Sequence, residues 1–523
     1  MLVVTAAQMR ELDRLTIHKY GTASLTLMER AGEGIATAVL ERFARAAKKG
    51  VVVVAGKGNN GGDGLVVARL LKKKRIPCEV VLLARRDELS ADAAHNLRAW
   101  VEVKGKIAEI DADKLPLLSR AIADKGLLVD AILGTGSKNV VAGLFAEAIT
   151  LMNAAGLPII AVDIPSGIDT DNGQPLGVAI KAEMTVALGF PKLGEVIHPG
   201  LTYCGETVVA EIGIDSRALA EVAPQIELLD LETVRWLVPR RQSDSHKGTY
   251  GHLLVVAGAR GKTGAAILSC RAAMRAGAGL VTLAAPRALN TIFAGSLVEV
   301  MTEPLGEDSS EHLEILSDAE WRRIIERKNV LLFGPGIGVN EATHSSIRWL
   351  LKNITMPWVI DADGLNNLAL ELDRLRHAKT PPILTPHPGE MARLVGKKTS
   401  AVNANRIEVA RSFALAHHCH VILKGARTVI ATVEGKVYIN PTGNPGMASA
   451  GMGDVLAGVV AALLAQGLSA ADAMRLGVYL HGYVGDRVAD SKGPIGLLAS
   501  DIVDGLPNAF AELAAFSQGS KSR

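Results

Sequence analysis

Two glycine-rich segments lie far apart in this chain, and each follows an apolar run and precedes a stretch with helical periodicity. The first reads VVVVAGKGNNGGDGL at residues 51–65, and the second reads PGMASAGMGDVL at 445–456. Each carries an aspartate at or near the predicted helix start, Asp63 in the first and Asp454 in the second. A helix N-terminus presents N–H groups without intrahelical acceptors and a partial positive charge, so it suits phosphate. The pattern predicts two phosphate-handling domains that act on related ligands.

Size and charge narrow the class of protein. The chain has 523 residues, which favours two large α/β domains. Its 57 basic and 54 acidic residues nearly cancel, and the densest basic run, 72–75, is read as a solvated helix end. Aromatic residues are only 4% of the chain, which leaves few stacking platforms for nucleic acid. We therefore expect small-molecule substrates and no nucleic-acid partner.

Other features favour a globular cytoplasmic protein. The four cysteines are widely spaced without a CxxC pair, so we expect reduced thiols and no zinc site. Thr5 and Gln8 have the spacing of a capping box, which predicts an N-terminal helix and not a signal peptide. No apolar stretch has the length and purity of a membrane span. A homo-oligomer, a tetramer or larger, is also expected.

The first half of the chain alternates helical segments with short apolar runs of strand length. Near-continuous apolar strands between helices indicate a parallel sheet covered on both faces, in which ligands bind beyond the carboxyl ends of the strands. Polar residues follow those ends, including Asn59, Asn60, Asp130, Asp163 and Ser166. The predicted strands are Val51–Ala55, Glu79–Leu83, Leu127–Ile132, Ile159–Ile164 and Met184–Leu188.

A second α/β series begins after a polar stretch that ends in PRRQSDS. We place the domain boundary between residues 224 and 225, so the domains are 1–224 and 225–523. The second series ends in a helix-rich region from 454 to 513. Its predicted strands are Leu253–Ala257, Val330–Phe333, Trp358–Ile360, Ile383–Leu384 and Val421–Leu423.

The first glycine-rich segment has several interpretations. GKGNNG at 56–61 matches the dinucleotide pattern G-x-G-x-x-G, which alone is a weak signal. The acidic residue expected after the next strand is replaced by Arg85 and Arg86, so an NADP-dependent dehydrogenase stays open. A structural turn without a ligand is another alternative. Against both, the segment adds Asn59, Asn60 and Asp63, which a simple pyrophosphate turn does not need.

Three motifs together point to a known family. NNGGDG at 59–64, DAILGTG at 130–136 and VDIPSGID at 162–169 together resemble the NAD(P)H-hydrate epimerases, over about residues 5–215. The resemblance implies a Rossmann-like, three-layer αβα domain that interconverts the R and S forms of hydrated NAD(P)H. Asp163, beside the turn at 164–167, would be the catalytic acid/base, since proton transfer needs a positioned group.

The same resemblance assigns ligand and metal residues. Asn60, Asp130 and Ser166 supply oxygens, which hard cations prefer, and the family implies potassium. The alternatives are a cap for Asp130 and a turn hydroxyl for Ser166. Lys192 is either a phosphate contact or an exposed lysine. The substrate residues of this site are Asn59, Asn60, Gly61, Gly62, Asp63, Gly134, Thr135, Gly136 and Asp163.

The second half carries six ordered motifs. GKT at 261–263 is not a P-loop, because position 256 is valine where that pattern needs glycine. HKGTYGHLLVVAGARGKTGAA at 246–266, GPGIG at 334–338, DADGLN at 361–366, TPHPGE at 385–390, LKGART at 423–428 and GMGD at 451–454 resemble the ADP- or ATP-dependent NAD(P)H-hydrate dehydratases. The resemblance covers about residues 230–513 and implies a ribokinase-like αβα domain.

The chemistry of the second site follows from its motifs. N–H groups at 451–453 would cradle a phosphoryl group, and Asp454 would take the proton of the attacking hydroxyl. Asp454 as a mere helix-dipole charge is the alternative. Magnesium is expected with ADP, without assigned ligands. The substrate residues are Ala266, Gly338, His387 and Asp454, and the nucleotide residues are Lys424, Gly425, Ala426, Arg427, Thr428 and Gly453.

The sequence thus predicts a bifunctional metabolite-repair enzyme. The first domain would epimerise NADHX and NADPHX, the hydrated forms of NADH and NADPH. The second would dehydrate the S form by phosphorylating the ring hydroxyl with ADP and eliminating phosphate. Use of ATP, or a ribokinase-like vitamin kinase with a stable phosphorylated product, is the alternative for the second domain. A non-catalytic binding module that does not need Asp163 is the alternative for the first.

Overall fold

The computed structural model describes residues 1–519, and the chain divides into two compact units. One unit is Leu2–Pro224, and the other begins at Gln225 and also includes Met1. Among residues 1–519, no helix combines the length and apolar character that crossing a membrane requires. The four cysteines are free thiols, as predicted.

The first unit is built on a seven-stranded parallel sheet in the order β4-β3-β2-β5-β6-β7-β8. β1 (Leu2–Val3) lies outside this sheet, and its seven strands are β2 (Val51–Ala55), β3 (Cys78–Leu82), β4 (Lys106–Glu109), β5 (Leu127–Ala131), β6 (Ile159–Val162), β7 (Met184–Leu188) and β8 (Glu206–Ala210). The helices are α1 (Ala6–Arg14), α2 (Ser24–Arg42), α3 (Ala44–Lys48), α4 (Asn59–Lys73), α5 (Ala91–Glu102), α6 (Pro116–Ile122), α7 (Gly143–Ala154), α8 (Leu193–Val196), α9 (Leu201–Cys204) and α10 (Ser216–Val222).

Helices cover both faces of this sheet. Val51 and Val53 of β2 join one buried apolar cluster, whereas Val52 and Val54 join a second cluster. Because successive strand residues point to opposite faces, the two clusters mark two helix layers around the sheet. The predicted three-layer α/β architecture of this unit is confirmed.

The second unit contains a larger mixed sheet with a mainly parallel centre. Its strand order is β9-β18-β17-β16-β15-β14-β13-β10-β11-β12, and the pairs β16–β17 and β17–β18 are antiparallel. The strands are β9 (Ile226–Leu228), β10 (His252–Val256), β11 (Leu280–Pro286), β12 (Met301–Leu305), β13 (Val330–Phe333), β14 (Trp358–Ile360), β15 (Ile383–Leu384), β16 (His420–Leu423), β17 (Val429–Ala431) and β18 (Val437–Ile439).

The helices of the second unit include the predicted helix-rich end of the chain. They are α11 (Leu231–Val234), α12 (Thr263–Arg275), α13 (Asn290–Ser296), α14 (Asp318–Ile325), α15 (Glu341–Asn353), α16 (Asp363–Leu368), α17 (Leu372–Leu375), α18 (Pro388–Leu394), α19 (Thr399–Ala404), α20 (Arg406–His417), α21 (Met452–Ala465), α22 (Ala470–Lys492) and α23 (Ala499–Gly519).

The strand order places a crevice in each sheet. In the first unit β2 lies between β3 and β5, and in the second β10 lies between β11 and β13. At such a point successive crossovers run in opposite directions, and the loops beyond the carboxyl ends of the strands diverge. The first glycine-rich segment lies in the first unit and the second lies in the second unit, as the sequence predicts.

The first glycine-rich segment differs from the expected loop, because α4 already begins at Asn59. Glycine disfavours helices, but close packing requires it here. A Cβ on Gly61 would lie 2.0 Å from Gly56 O, and one on Gly64 would lie 2.5 Å from the Ala131 Cβ. Tertiary packing therefore overrides the local propensity of these residues. The predicted capping box of Thr5 and Gln8 is present.

Candidate functional sites

The first site is a cavity of about 470 Å³ beyond the carboxyl ends of β2, β5 and β6. Most of the residues that the sequence predicts for substrate binding line it. Those lining residues are Asn59, Asn60, Asp63, Gly134, Thr135, Gly136 and Asp163. Gly61 and Gly62 are outside the lining. A Cβ on Gly62 would lie 2.8 Å from the Met28 Sδ, so packing explains the absence of a side chain there.

Asp163 is held at the wall of this cavity by its backbone conformation and by two contacts. It follows β6 with a φ of +68°, a left-handed conformation that costs a non-glycine residue about 1–3 kcal/mol. Its carboxylate accepts a hydrogen bond from the Leu188 N–H at 3.1 Å and forms a short ion pair with the Lys192 Nζ. Such strain persists only when neighbouring contacts hold it. The structure thus fixes one carboxylate at the cavity wall.

The sequence allowed two interpretations of Lys192, a phosphate contact and an exposed lysine, and the structure does not place it in an exposed position. Its side chain is fully buried, and its Nζ donates to Leu188 O at 3.1 Å as well as to Asp163. A buried ammonium needs a partner because burial removes its hydration. The lysine is thus committed to Asp163, and the expectation of an exposed lysine is wrong.

Asp13 and Asp63 lie near Asp163, and the sequence did not show that these three acidic residues form a cluster. Asp13 lies on α1 and lines the cavity, and burial and the charge of Asp163 raise its pKa to about 7. Burial, followed by the charges of Asp163 and Asp13, raises the pKa of Asp63 well above its ordinary value. The sequence shows Asp13 only as a polar residue of an amphipathic helix, so no local signal assigns it to the site.

A third acidic residue supports the ion pair from behind. Glu195 is fully buried, and its Oε2 accepts a hydrogen bond from the Lys192 N–H at 2.5 Å. Burial raises its pKa to about 8, an effect that Lys192 opposes. Its other carboxylate oxygen has no hydrogen-bond partner. Glu195 thus contacts the backbone of Lys192, whereas the ammonium of Lys192 is paired with Asp163.

Asp130 and Ser166 are joined by hydrogen bonds at the carboxyl ends of β5 and β6. The Ser166 N–H and O–H donate to the two carboxylate oxygens of Asp130 at 2.8 and 2.6 Å. The Leu133 N–H donates to Ser166 Oγ at 2.9 Å. Asp130 is fully buried, and burial raises its pKa to about 6 despite these hydrogen bonds. This arrangement ties the loop after β5 to the turn after β6.

Asn60 provides an unsatisfied oxygen near the same loop. Neither its amide oxygen nor its amide nitrogen has a hydrogen-bond partner, although both atoms are buried. A Cβ on Gly134 would lie 3.5 Å from Asn60 Oδ1, so the amide faces the loop that follows β5. A buried polar atom without a partner is costly, which makes it a candidate ligand position. The residues 1–519 hold no group of three or more His, Cys, Asp or Glu suited to a metal.

The second site surrounds the start of α21. Gly451 precedes this helix with a φ of +87°, which favours glycine, and Asp454 lies in the first turn. The Ser269 O–H donates to Asp454 O at 3.1 Å and ties the turn to α12. The N–H groups of a first helical turn have no intrahelical acceptors, so they can bind an anion.

A buried ion pair lies against this helix start. Lys424, after β16, contacts Asp361, after β14, with 2.9 Å between Nζ and Oδ1. The Thr385 O–H donates to the same carboxylate oxygen at 2.6 Å. A Cβ on Gly453 would lie only 3.0 Å from Lys424 Nζ, so the ammonium borders the helix N-terminus. Three loops and one helix therefore bring a cation and an N–H cradle together.

Burial and neighbouring charges shift the pKa values of Asp454 and Lys424 in this site. Burial raises the pKa of Asp454 to about 7, the charge of Asp361 adds to the effect, and Lys424 opposes it. Burial opposes the charge of Lys424, but the carboxylates of Asp361 and Glu390 hold its pKa above the ordinary value. A carboxyl with a pKa near neutrality is matched to general-base catalysis.

The loop after β16 holds the predicted nucleotide residues. Arg427 has a φ of +57°, and Thr428 donates to Gly425 O at 3.0 Å. Arg406, which the sequence did not single out, donates to Lys424 O at 3.1 Å and also to Ala426 O. Burial lowers its pKa to about 10. Arg406 thus fixes the backbone of this loop from α20.

The remaining predicted residues have different surroundings. His387 caps α18, where its Nδ1 accepts from the Gly389 N–H at 2.9 Å. The Gly338 N–H donates to Asp363 Oδ2 at 2.9 Å. Ala266 is fully buried in the core of α12, 3.2 Å from the Cβ position of Gly258. Packing accounts for this alanine, and its substrate contact stays a prediction.

The fold and the two sites define the class of protein. Each unit is a layered α/β structure with a carboxylate beyond the carboxyl ends of its strands, Asp163 in the first and Asp454 in the second, an arrangement typical of an enzyme with two separate sites. A family described as NAD(P)H-hydrate dehydratase matches residues 253–508, and a family described as YjeF-related protein N-terminus matches residues 24–194.

The curated relatives are similar over almost the whole chain. The Bifunctional NAD(P)H-hydrate repair enzyme Nnr of Moorella thermoacetica is 42% identical over 97% of this chain and 96% of its own. The protein of that name from Escherichia coli is 35% identical over 95% of this chain and 92% of its own. The chain belongs to the family of bifunctional NAD(P)H-hydrate repair enzymes, which confirms the family predicted from its motifs.

A solved structure resembles part of the chain. The ADP/ATP-dependent NAD(P)H-hydrate dehydratase from Bacillus subtilis, co-crystallized with ATP/Mg2+, is 29% identical, with a TM-score of 0.48. It covers 55% of this chain, and 98% of that structure is matched.

Proposed function

We propose that the unit Leu2–Pro224 epimerises hydrated NAD(P)H and that the unit from Gln225 dehydrates its S form. The observation that carries the proposal is the pair of separate carboxylates, Asp163 at the wall of the first cavity and Asp454 in the first turn of α21, beside Lys424. The relatives' name supports both activities. The domain boundary predicted after residue 224 is part of this proposal.

At the first site, Asp163 would act as the acid/base for proton transfer at the hydroxyl-bearing centre of the substrate. The short ion pair with Lys192 and the bond from the Leu188 N–H hold this carboxylate in one orientation. A fixed acid/base avoids reorganisation during proton transfer. Asp13, with its pKa near 7, lines the same cavity and is able to hold a proton opposite Asp163.

Potassium fits the oxygen atoms at the edge of this cavity. The buried, unpartnered Oδ1 of Asn60 needs an electropositive neighbour, and Asp130 and Ser166 add a carboxylate and a hydroxyl. Hard cations take oxygen ligands. We therefore assign Asn60, Asp130 and Ser166 as the potassium residues. The ion would supply positive charge near the ligand phosphates.

At the second site, Asp454 would take the proton of the ring hydroxyl while that oxygen attacks the terminal phosphorus of ADP. The new O–P bond forms as AMP leaves, and phosphate then leaves the ring as the ring loses a proton and regains its double bond. Lys424 and the N–H groups at the start of α21 would stabilise the transferring phosphoryl charge. Magnesium would neutralise phosphate charge on the nucleotide.

The nucleotide and substrate contacts belong to the same proposal. The loop held by Arg406 would bind the nucleotide through Lys424, Gly425, Ala426, Arg427 and Thr428, together with Gly453. His387, Gly338 and Ala266 would contact the hydrated cofactor. We prefer ADP as the phosphoryl donor, with ATP as the alternative. A homo-oligomer of four or more chains and a cytoplasmic location stay sequence-based predictions.

The decisive experiment supplies purified S-form NADHX with ADP and follows the absorbance of reduced nicotinamide. We expect full recovery with release of AMP and phosphate, and mass spectrometry should find no stable phosphorylated product. A stable product would instead favour a small-molecule kinase. No recovery with either ADP or ATP would refute the dehydratase assignment. Starting from the R form tests epimerisation in the same assay.

A further inference from the structure

A second cavity lies in the unit that begins at Gln225, and no residue proposed above for catalysis or substrate binding lines it. Its volume is about 650 Å³. Its walls come from the segment after α11, the C-terminal ends of α12 and α21, and the middle of α23. Small-molecule sites in proteins usually have volumes of about 300–1,000 Å³. The size alone therefore permits a ligand as large as a mononucleotide.

The charge of this cavity is unusual. Arg235, Arg240, Arg241 and Arg275 line it, and the described lining contains no carboxylate. Arg235 contacts Glu232 at 2.5 Å, but Glu232 lies outside the lining and is 72% exposed. Concave walls of one sign focus the electrostatic potential and concentrate ligands of the opposite sign. The positive charge of its lining therefore favours binding of an anion in this cavity.

Helix C-termini do not account for these arginines. α12 and α21 end at the cavity, and each contributes a partial charge of about −0.5. Their terminal region already has donors, since Arg241 donates to Gly277 O at 2.7 Å and Gln466 donates to Ala276 O at 2.9 Å. Arg241 is held further by the ring of Tyr250, 4.0 Å from its guanidinium. The exposed guanidinium groups of Arg240 and Arg275 add more positive charge than the two helix ends require.

The cavity also has a flat apolar wall. Trp236 is 49% exposed, and Pro507 and Phe510 of α23 line the cavity with it. The guanidinium of Arg235 lies 4.9 Å from the Trp236 ring centroid and holds one face of that ring. An indole with a free region beside arginines suits a planar ring that carries phosphate. Inorganic phosphate alone would leave this wall without a contact.

We propose that this cavity is a second binding site for a phosphorylated planar heterocycle of mononucleotide size. Arg240, Arg241 and Arg275 bind the phosphate groups, because guanidinium forks match phosphate oxygens. Trp236 stacks on the ring. The assignment does not depend on the reaction proposed above, since none of these residues belongs to either catalytic site.

The test uses AMP as the probe and tryptophan fluorescence of the full-length protein as the readout. We expect AMP to quench the fluorescence with saturation, and the saturable component to vanish in W236F. The double variant R240A/R275A should weaken AMP binding at least tenfold. Arg271→Ala is the matched control, because Arg271 lies one turn earlier on α12, outside the cavity, and should leave the affinity unchanged.

Competition experiments separate the two parts of the ligand. Pyrophosphate should displace AMP from the wild-type protein, and adenosine should compete at least tenfold more weakly than AMP. Quenching that persists in W236F, or AMP affinity that is equal in R240A/R275A and R271A, would overturn the proposal. Pyrophosphate that binds as tightly as AMP in both wild type and W236F would also overturn it, since the ring would then contribute nothing.

Discussion

The two aspartates that we propose as catalytic residues both lie beyond the carboxyl ends of strands but have different electrostatic surroundings. Asp163 is bound directly by the buried ammonium of Lys192. Asp454 has a lysine nearby, but Lys424 is committed to Asp361 at 2.9 Å. The charge of Asp361 then acts on Asp454 and helps burial to raise its pKa to about 7. One site thus holds a paired carboxylate, and the other a carboxyl poised to accept a proton.

The difference matches the chemistry proposed for each unit. A residue that both gives and takes a proton at one substrate centre benefits from a fixed position, which the ion pair supplies. A residue that takes a proton from an alcohol benefits from a pKa close to the operating pH. The proposed roles of the two aspartates therefore differ according to whether the neighbouring lysine is paired with the aspartate itself or with another carboxylate.

The largest expected effect comes from removing the base of the second site. Asp454→Asn keeps the shape of the side chain but cannot take a proton, so kcat for ADP-dependent dehydration should fall about 10³- to 10⁴-fold. Epimerisation by the same protein, followed by separating the R and S forms, should be unchanged. Dehydration within tenfold of wild type would contradict the role of Asp454.

The corresponding change in the first unit should have a somewhat smaller effect. Asp163→Asn should slow epimerisation about 10²- to 10³-fold, because the fixed acid/base is lost. Dehydration of pure S-form substrate should stay at the wild-type rate and serves as the internal control. Unaltered epimerisation would favour a non-catalytic binding module in this unit.

The ion pair between Asp163 and Lys192 also predicts an effect on the free energy of unfolding. Asp163→Ala leaves the Lys192 ammonium buried without its carboxylate, which typically costs about 3–5 kcal/mol. The double variant D163A/K192M should recover much of that loss without recovering epimerisation. Urea unfolding of the three proteins measures the difference. Equal stability of D163A and wild type would show that the ion pair contributes little.

The pH dependence sharpens the contrast between the sites. Asp454 has to be deprotonated to act as a base, and its pKa is about 7. The value of kcat/KM for dehydration should therefore rise with pH and level off above about 7, and it should be about 50-fold lower at pH 5 than at pH 7. A profile that is flat from pH 5 to 8 would be inconsistent with this base.

The sequence reveals these sites unevenly, for physical reasons. Asp163 and Asp454 lie within local motifs, and the parallel sheets follow from near-continuous apolar runs, so both were predictable. Asp13 and Arg406 come from distant helices, and only the folded chain shows their contacts. Edge strands such as Lys106–Glu109 were missed because their half-exposed residues lack an apolar run.

The glycine-rich segments show the same limit most clearly, because composition does not reveal why each glycine is needed. The sequence treats Gly58 and Gly61 as equal parts of a phosphate loop. In the structure a Cβ on Gly58 would meet no atom within 4 Å, whereas one on Gly61 would lie 2.0 Å from Gly56 O. Packing against the backbone therefore constrains Gly61 and leaves Gly58 unconstrained.

The smallest effect we predict follows from this pair of glycines. Gly61→Ala forces the start of α4 away from Gly56 and should lower the free energy of unfolding by about 3 kcal/mol. Gly58→Ala, at a φ of −88° that any residue adopts, should change it by no more than about 0.5 kcal/mol. Urea unfolding measures both variants against wild type. Equal losses would mean that the segment needs both glycines for its backbone conformation, whereas the structure attributes the need at Gly61 to packing alone.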